Sequence, residues 1–163
     1  MRSVLQFVRV FALGTWVGSI FYFSAAVAPG AFRVLSSQDH AGMLVEFVLG
    51  RLHLLGVVAA ALFLLASIVM VLLGLDAGGF LPSIGVLVML ALTLVSQDMV
   101  IRRMIHLRRE MVSVVATPLD NPLRAEFERL HGVSVDLEGA VLLIGFASLF
   151  LTLREPKMKL PSQ

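Results

Sequence analysis

The stretch LLGVVAAALFLLASIVMVLLGL, residues 54–75, runs for twenty-two residues without a charge. At about 1.5 Å of rise per residue, such a helix crosses a hydrocarbon core about 30 Å thick. This reading decides the fold, and the flanking sequence extends it in both directions. Upstream, Ser36 with Asp39 three residues on has the form of a capping box. Met43, Leu44, Phe47, Val48 and Leu52 follow at helical spacing, which predicts an amphipathic interfacial lead into the span. Downstream, Asp76-Ala77-Gly78-Gly79 leaves room only for a tight connection, so a further span turns back from about Phe80 to Ser96, with Pro82 in its first turn.

The helical pattern continues past that span through Gln97, Asp98, Arg102, Arg103, His106, Arg108 and Arg109, so this helix should project beyond the membrane surface. A break over Ala116 to Pro122 follows, with Asn121 as N-cap and Pro122 at the first helical position. Leu123 to Leu130 is amphipathic and leads into a last span from Val133 to Leu153. At the other end of the chain, Val10 to Ala28 is uncharged for nineteen residues and should end at Pro29-Gly30. Arg2 and Ala26-Val27-Ala28 mimic a signal peptide with its cleavage site, but the run is longer than a usual h-region and proline would follow the cut. The sequence therefore predicts an all-α, polytopic integral membrane protein. Its single domain over 1–163 is a four-helix transmembrane bundle, with spans near 10–28, 54–75, 80–96 and 133–153 and amphipathic helical extensions on the loop side.

Composition agrees. Apolar residues make up 58% of the chain and charged ones 15%, where a soluble domain carries about 25% charge, and mean hydropathy is +0.94. Cysteine is absent, which removes disulfides, thiolate metal sites and cysteine nucleophiles. The net charge of +2 comes without a basic tail for nucleic acid. The arginines beside the apolar blocks, Arg9 among them, read as interface anchors facing the lipid bilayer. Sequence signatures of P-loops, dinucleotide folds, zinc proteases and serine hydrolases are missing, so an enzyme is not supported.

Four alternating spans put both termini and the Asp76 turn on one side and the two longer connections on the other. The loop side holds eight Lys and Arg (33, 51, 102, 103, 108, 109, 124 and 129) and the terminal side five (2, 9, 154, 157 and 159). Basic residues alone thus place the loops in the cytoplasm, although nine acidic residues accompany them. The same arithmetic gathers polar residues at one level. His53 opens span two, Asp98, Arg102 and His106 leave span three, and His131, Ser134, Asp136 and Glu138 open span four.

Asp98 and Arg102 stand at i,i+4 with the acid first, the favourable order for a helical ion pair. His131, Ser134 and Glu138 at i, i+3 and i+7 share one helix face. An imidazole with a carboxylate there can hydrogen-bond, carry a proton or ligate a metal, and it can equally be a structural polar cluster. His53 and His131 at matching depth could also be axial ligands to haem or ligands to a transition metal. Gly14 and Gly18 make a small-xxx-small pattern for close helix approach, and Trp16 between them packs against a partner or lines a cavity.

Gly14-Thr15-Trp16-Val17-Gly18, Ala28-Pro29-Gly30-Ala31-Phe32-Arg33-Val34-Leu35, Arg51-Leu52-His53 and Phe127-Glu128-Arg129-Leu130-His131-Gly132-Val133-Ser134 together resemble the bacterial branch of the transmembrane protein 205 family. Its bacterial members carry a domain of unknown function, DUF4149. The resemblance covers nearly the whole chain, and the His-Gly and Ser pattern before span four is its most specific part. It implies four spans, no established enzymatic activity, and a loose connection to metal-drug tolerance in animal members. The positions matching the family pattern are Trp16, Pro29, Phe32, Arg33, His53, Arg102, Phe127, His131, Gly132 and Ser134. Glu138 departs from it, since relatives carry asparagine there.

These readings lead to one expectation and two alternatives. The expectation is a membrane protein, most naturally of a bacterial inner membrane, that binds or passes a small solute or metal ion through a polar cavity open to the loop side. His53 and His131 would be its ligands, Arg33 and Arg102 would attract an anion or lock the loops, Asp98 would hold Arg102, and Trp16 would line the wall. The alternatives are a structural or accessory subunit docking a partner protein or a second copy through Gly14 and Gly18, and a redox protein holding haem or metal on His53 and His131.

Overall fold

A computed structural model describes residues 1–75, 80–111 and 113–154. The Asp76 to Gly79 connection and the closing Lys157 and Lys159 lie outside the described residues. Four helices account for nearly all of the rest: α1 (Arg2–Val34), α2 (Gln38–Leu72), α3 (Phe80–Met111) and α4 (Pro122–Leu153). All four are long and apolar enough to cross a membrane, and no strand occurs among the described residues. Within the most hydrophobic window of each helix only 28% to 33% of residues are buried in the bundle. The remainder turns Phe11, Phe21, Leu62, Leu65, Leu87, Leu143, Phe146 and Phe150 outward, an arrangement that water would oppose and lipid accepts. The chain is a four-helix membrane bundle.

Contacts at the ends of the helices fix their directions. Gln6 at the start of α1 donates to the Thr152 carbonyl at the end of α4 (2.8 Å), and Arg9 reaches Met70 Sδ at the end of α2 (3.8 Å). Glu46, early in α2, pairs with Arg108, late in α3 (3.4 Å). Neighbours therefore run antiparallel, with α1 and α3 each packed on both α2 and α4.

Close approach depends on glycines other than those expected. A Cβ at Gly56 of α2 would stand 2.5 Å from Trp16 Nε1, so the buried indole lies directly against the α2 backbone. Gly145 of α4 does the same for Val17 (2.6 Å) and Met89 (3.0 Å), and Gly85 of α3 receives Ser148. Gly14 and Gly18 meet nothing within 4 Å. The small-xxx-small face is thus not used inside the bundle, and the indole between the two glycines makes the helix contact instead.

The buried face of α4 contains Ser134, Glu138, Val141, Gly145, Ser148 and Thr152. It is more polar than the face turned to lipid, and hydroxyls there satisfy themselves along the helix, as Thr152 Oγ1 does by donating to the Ser148 carbonyl (2.8 Å).

Several local expectations are corrected. Pro29 and Gly30 do not end the first helix, which continues to Val34. The turn before it, Phe23–Val27, is a π-helix. An i→i+5 turn widens the backbone where the proline ring and its missing N–H would otherwise break the ladder. Ser37, not Ser36, caps α2 by accepting from His40 N (3.3 Å). Asp39 is thereby released to hold the connection after α3, accepting from Ser113 Oγ (2.6 Å) and Val114 N (3.0 Å). The helix α3 is described to Met111, and by Ser113 the chain has left it, earlier than the expected break at Ala116. Asn121 and Pro122 behave as read: Asn121 Oδ1 accepts from Leu123 N (2.9 Å) and Pro122 opens α4.

Arg9 is not an interface anchor. It is wholly buried, its guanidinium 4.8 Å from the Phe63 ring centroid and 3.2 Å from Gln6 Oε1. Because α1 starts at Arg2 rather than near Val10, Arg9 falls inside the packed helix, where the Phe63 π-face and the Gln6 amide replace headgroup and water.

Candidate functional site

Gln97, His53 and Glu138 come from three different helices and meet in one hydrogen-bonded line. His53 is 4% exposed. Its Nδ1 lies 2.7 Å from Gln97 Oε1 and its Nε2 lies 2.5 Å from Glu138 Oε1. A glutamine Oε1 only accepts, so His53 Nδ1 carries the hydrogen and Nε2 is the nitrogen facing the acid. Glu138 is buried, as is Ser134 one turn earlier on α4. Unpaired, either ionisable group at this depth would be costly, and the contact answers that cost.

The local geometry of α3 explains why glutamine rather than aspartate points inward. Residues Ser96–Ile101 form a second π-helical turn, and the extra residue per turn sets Ser96 and Gln97 toward the bundle while Asp98 faces out. Ser96 Oγ is buried and has no hydrogen-bond partner among the described residues. Gln97 also lines an open groove of about 310 Å³ with Glu46, Phe47, Arg51, Ile101 and Ile105, so the outer end of the line reaches the loop-side surface. On the groove wall, the Glu46 carboxylate pairs with Arg108 (3.4 Å).

The residues expected to form the site separate into two sets. His53, Ser134 and Glu138 are buried together near the loop-side end, and Trp16 is buried against Gly56, one turn of α2 from His53. Asp98 and Arg102 pair as predicted (2.8 Å), but with 52% and 71% of their side chains exposed the pair stands at the surface, outside the buried line. Arg33 and His131 are exposed as well. His131 shares a helix face with Glu138, yet burial needs a neighbouring element at its own level, and a shared face does not supply one. His53 and His131 are not brought together as a ligand pair, because both ring nitrogens of His53 are committed to Gln97 and Glu138. Among the described residues no group of three or more His, Asp and Glu is arranged for a metal.

Arg108 joins the helices near this site, a packing role not read from the sequence. It donates to the Asp39 carbonyl (3.3 Å), pairs with Glu46 (3.4 Å) and lies 5.3 Å from the Phe127 ring centroid, joining α2, α3 and α4 above the site. Gly42 makes room for it, since a Cβ there would stand 2.8 Å from Nη1. Arg103 clamps α3 to α4 through a two-point contact with Glu126 (2.8 and 3.0 Å). The available signal was only an excess of arginine opposite acids.

Four apolar helices around a buried histidine–carboxylate pair define a multi-pass membrane protein with a buried ionisable site. Residues 11–113 match the family described as a domain of unknown function, DUF4149. That is well over half of the chain, and the protein belongs to this family. Comparison with curated proteins and with solved structures gave no match.

Proposed function

We propose that the protein binds or passes a small solute or metal ion from the loop side, with Gln97, His53 and Glu138 as its working groups. The observation that carries this reading is the buried 2.5 Å contact between His53 and Glu138, joined through Gln97 to a surface groove. Ionisable groups held inside a membrane bundle mark ligand or ion sites more often than packing requires. The exposed Arg33, Arg102 and His131 then serve as approach groups at the rim. A place in a bacterial inner membrane and a relationship to the transmembrane protein 205 family belong to the same proposal, supported by the Gly14–Gly18, Arg51–His53 and Phe127–Ser134 segments.

The test is thermal unfolding of the purified chain with sodium, potassium, manganese(II), copper(II) and zinc(II) salts. A ligand at a hundred times its Kd adds about 2.7 kcal/mol to the folded state. At least one salt should stabilise the wild type and lose its effect in His53→Ala and Glu138→Gln. If none stabilises it, or if both variants respond like the wild type, the reading is wrong.

A further inference from the structure

At 2.5 Å, two lone pairs cannot face one another, so a proton lies between His53 Nε2 and Glu138 Oε1. Whether it is drawn on the nitrogen or on the oxygen, the pair with this proton is neutral. Without it, neutral His53 and a carboxylate leave one net negative charge inside the bundle.

Among the described residues no Lys or Arg is paired with Glu138 or His53 to compensate that loss. On α1, Arg9 sits at the opposite end over Phe63, Arg33 is exposed, and Trp16 is the residue packed one turn from His53. On α3, Asp98 and Arg102 neutralise each other at the surface. On α2, Glu46 is held by Arg108, and Arg51 is exposed with its guanidinium 5.1 Å from the Phe47 ring centroid. On α4, Asp136 is exposed. A buried anion is expensive, so the proton leaves only when another positive charge arrives.

We propose that His53 and Glu138 form a cation–proton exchange site, at which a small monovalent cation from the loop-side groove displaces the shared proton back to that side. This deepens the ion-binding reading and rests on it, naming the ion class. In the exchange, the bond holding the shared proton breaks and the proton passes to water. The cation takes up ionic contact with the Glu138 carboxylate, His53 stays neutral with Nδ1–H on Gln97, and no electrons move. Charge is +1 on each side of the exchange. The buried Ser96 hydroxyl beside Gln97, which has no hydrogen-bond partner among the described residues, supplies a spare oxygen for an incoming ligand.

The experiment uses the full chain in lipid nanodiscs, weakly buffered with a pH-sensitive dye. Sodium, potassium or methylammonium chloride is added at an ionic strength held constant with N-methyl-D-glucamine, and binding heat is read in parallel. About one proton per chain should be released at saturation, and none from Glu138→Gln, whose amide can still donate to Nε2. In the wild type alone, the apparent Kd should rise about tenfold for each unit of pH lowered, which requires no variant to fold. Binding heat without proton release, or a Kd that does not change with pH, would overturn the exchange and leave the ion-binding reading standing. Absence of both heat and release with every cation would overturn the exchange, and with no stabilising salt in the thermal test it would overturn both.

Discussion

Glu138 and His53 are unequal when replaced. His53→Ala removes the imidazole and leaves a buried carboxyl group without its partner, a loss of about 1–3 kcal/mol for an unsatisfied buried polar group. Glu138→Gln keeps a donor toward Nε2 and should cost about 1 kcal/mol. Thermal unfolding of the two variants should rank them in that order, and equal small losses would mean that the contact does little for the fold. Asp39 gives a pH signature outside the membrane. The Ser113 hydroxyl, and then the Val114 and Val115 amides with Arg108, hold its carboxyl below the ordinary range against the opposing effect of burial. Its folded pKa lies below the unfolded one, so the stabilisation is fully present above about pH 4 and is lost as pH falls through the lowered value. Hydrogen exchange at the Val114 amide should accelerate in acid beyond its intrinsic rate, and Asp39→Asn should remove that acid-dependent step. At the surface, Asp98→Ala should change stability by less than about 1 kcal/mol, because an exposed i,i+4 pair is worth little.

Helix packing was less legible than helix existence. The uncharged runs announced four spans, yet the two π-turns had no sequence signature beyond Pro29 in one case and an apolar-to-polar boundary in the other. They shift register by a residue, and this is why Gln97 rather than Asp98 reaches His53. The capping signal was misplaced by one residue because Ser36 and Ser37 offer the same chemistry, and only the path of the chain chooses between them. Glycines misled in the same way: Gly14 and Gly18 had the recognisable spacing, while Gly56 and Gly145 take the side chains of α1. Gly56→Ala should therefore destabilise the bundle by about 1–3 kcal/mol through overpacking against Trp16, whereas Gly14→Ala should leave the unfolding midpoint almost unchanged. A Gly14 variant as damaged as the Gly56 one would mean that α1 packs differently.

Across the whole bundle, topology carried most of the information. Alternating spans brought His53, the end of the third apolar run and the start of the fourth to one level before any contact was known, and that level holds the buried line. Which polar residues turn inward depended on the neighbour each one meets, so His131 and Asp98 fell outside and Gln97 and Arg9 fell inside. A cysteine-free chain makes the arrangement easy to check. Single cysteines at Ser3 and at Leu119 should react with an impermeant maleimide from opposite sides of sealed vesicles. Labelling from the same side would contradict the antiparallel order.

The polar inner face of α4 also bears on how the chain is made. Glu138 stands five residues inside the last hydrophobic run, where an acidic side chain makes a lone helix costly to insert in lipid. Synthesised after α2, this segment is poorly suited to dwell alone in lipid, and its partner His53 precedes it in translation. Lateral release of α4 and its docking against His53 become one event in biogenesis. A nascent chain stopped before α4 would hold His53 by Gln97 alone, with Nε2 lacking its Glu138 partner.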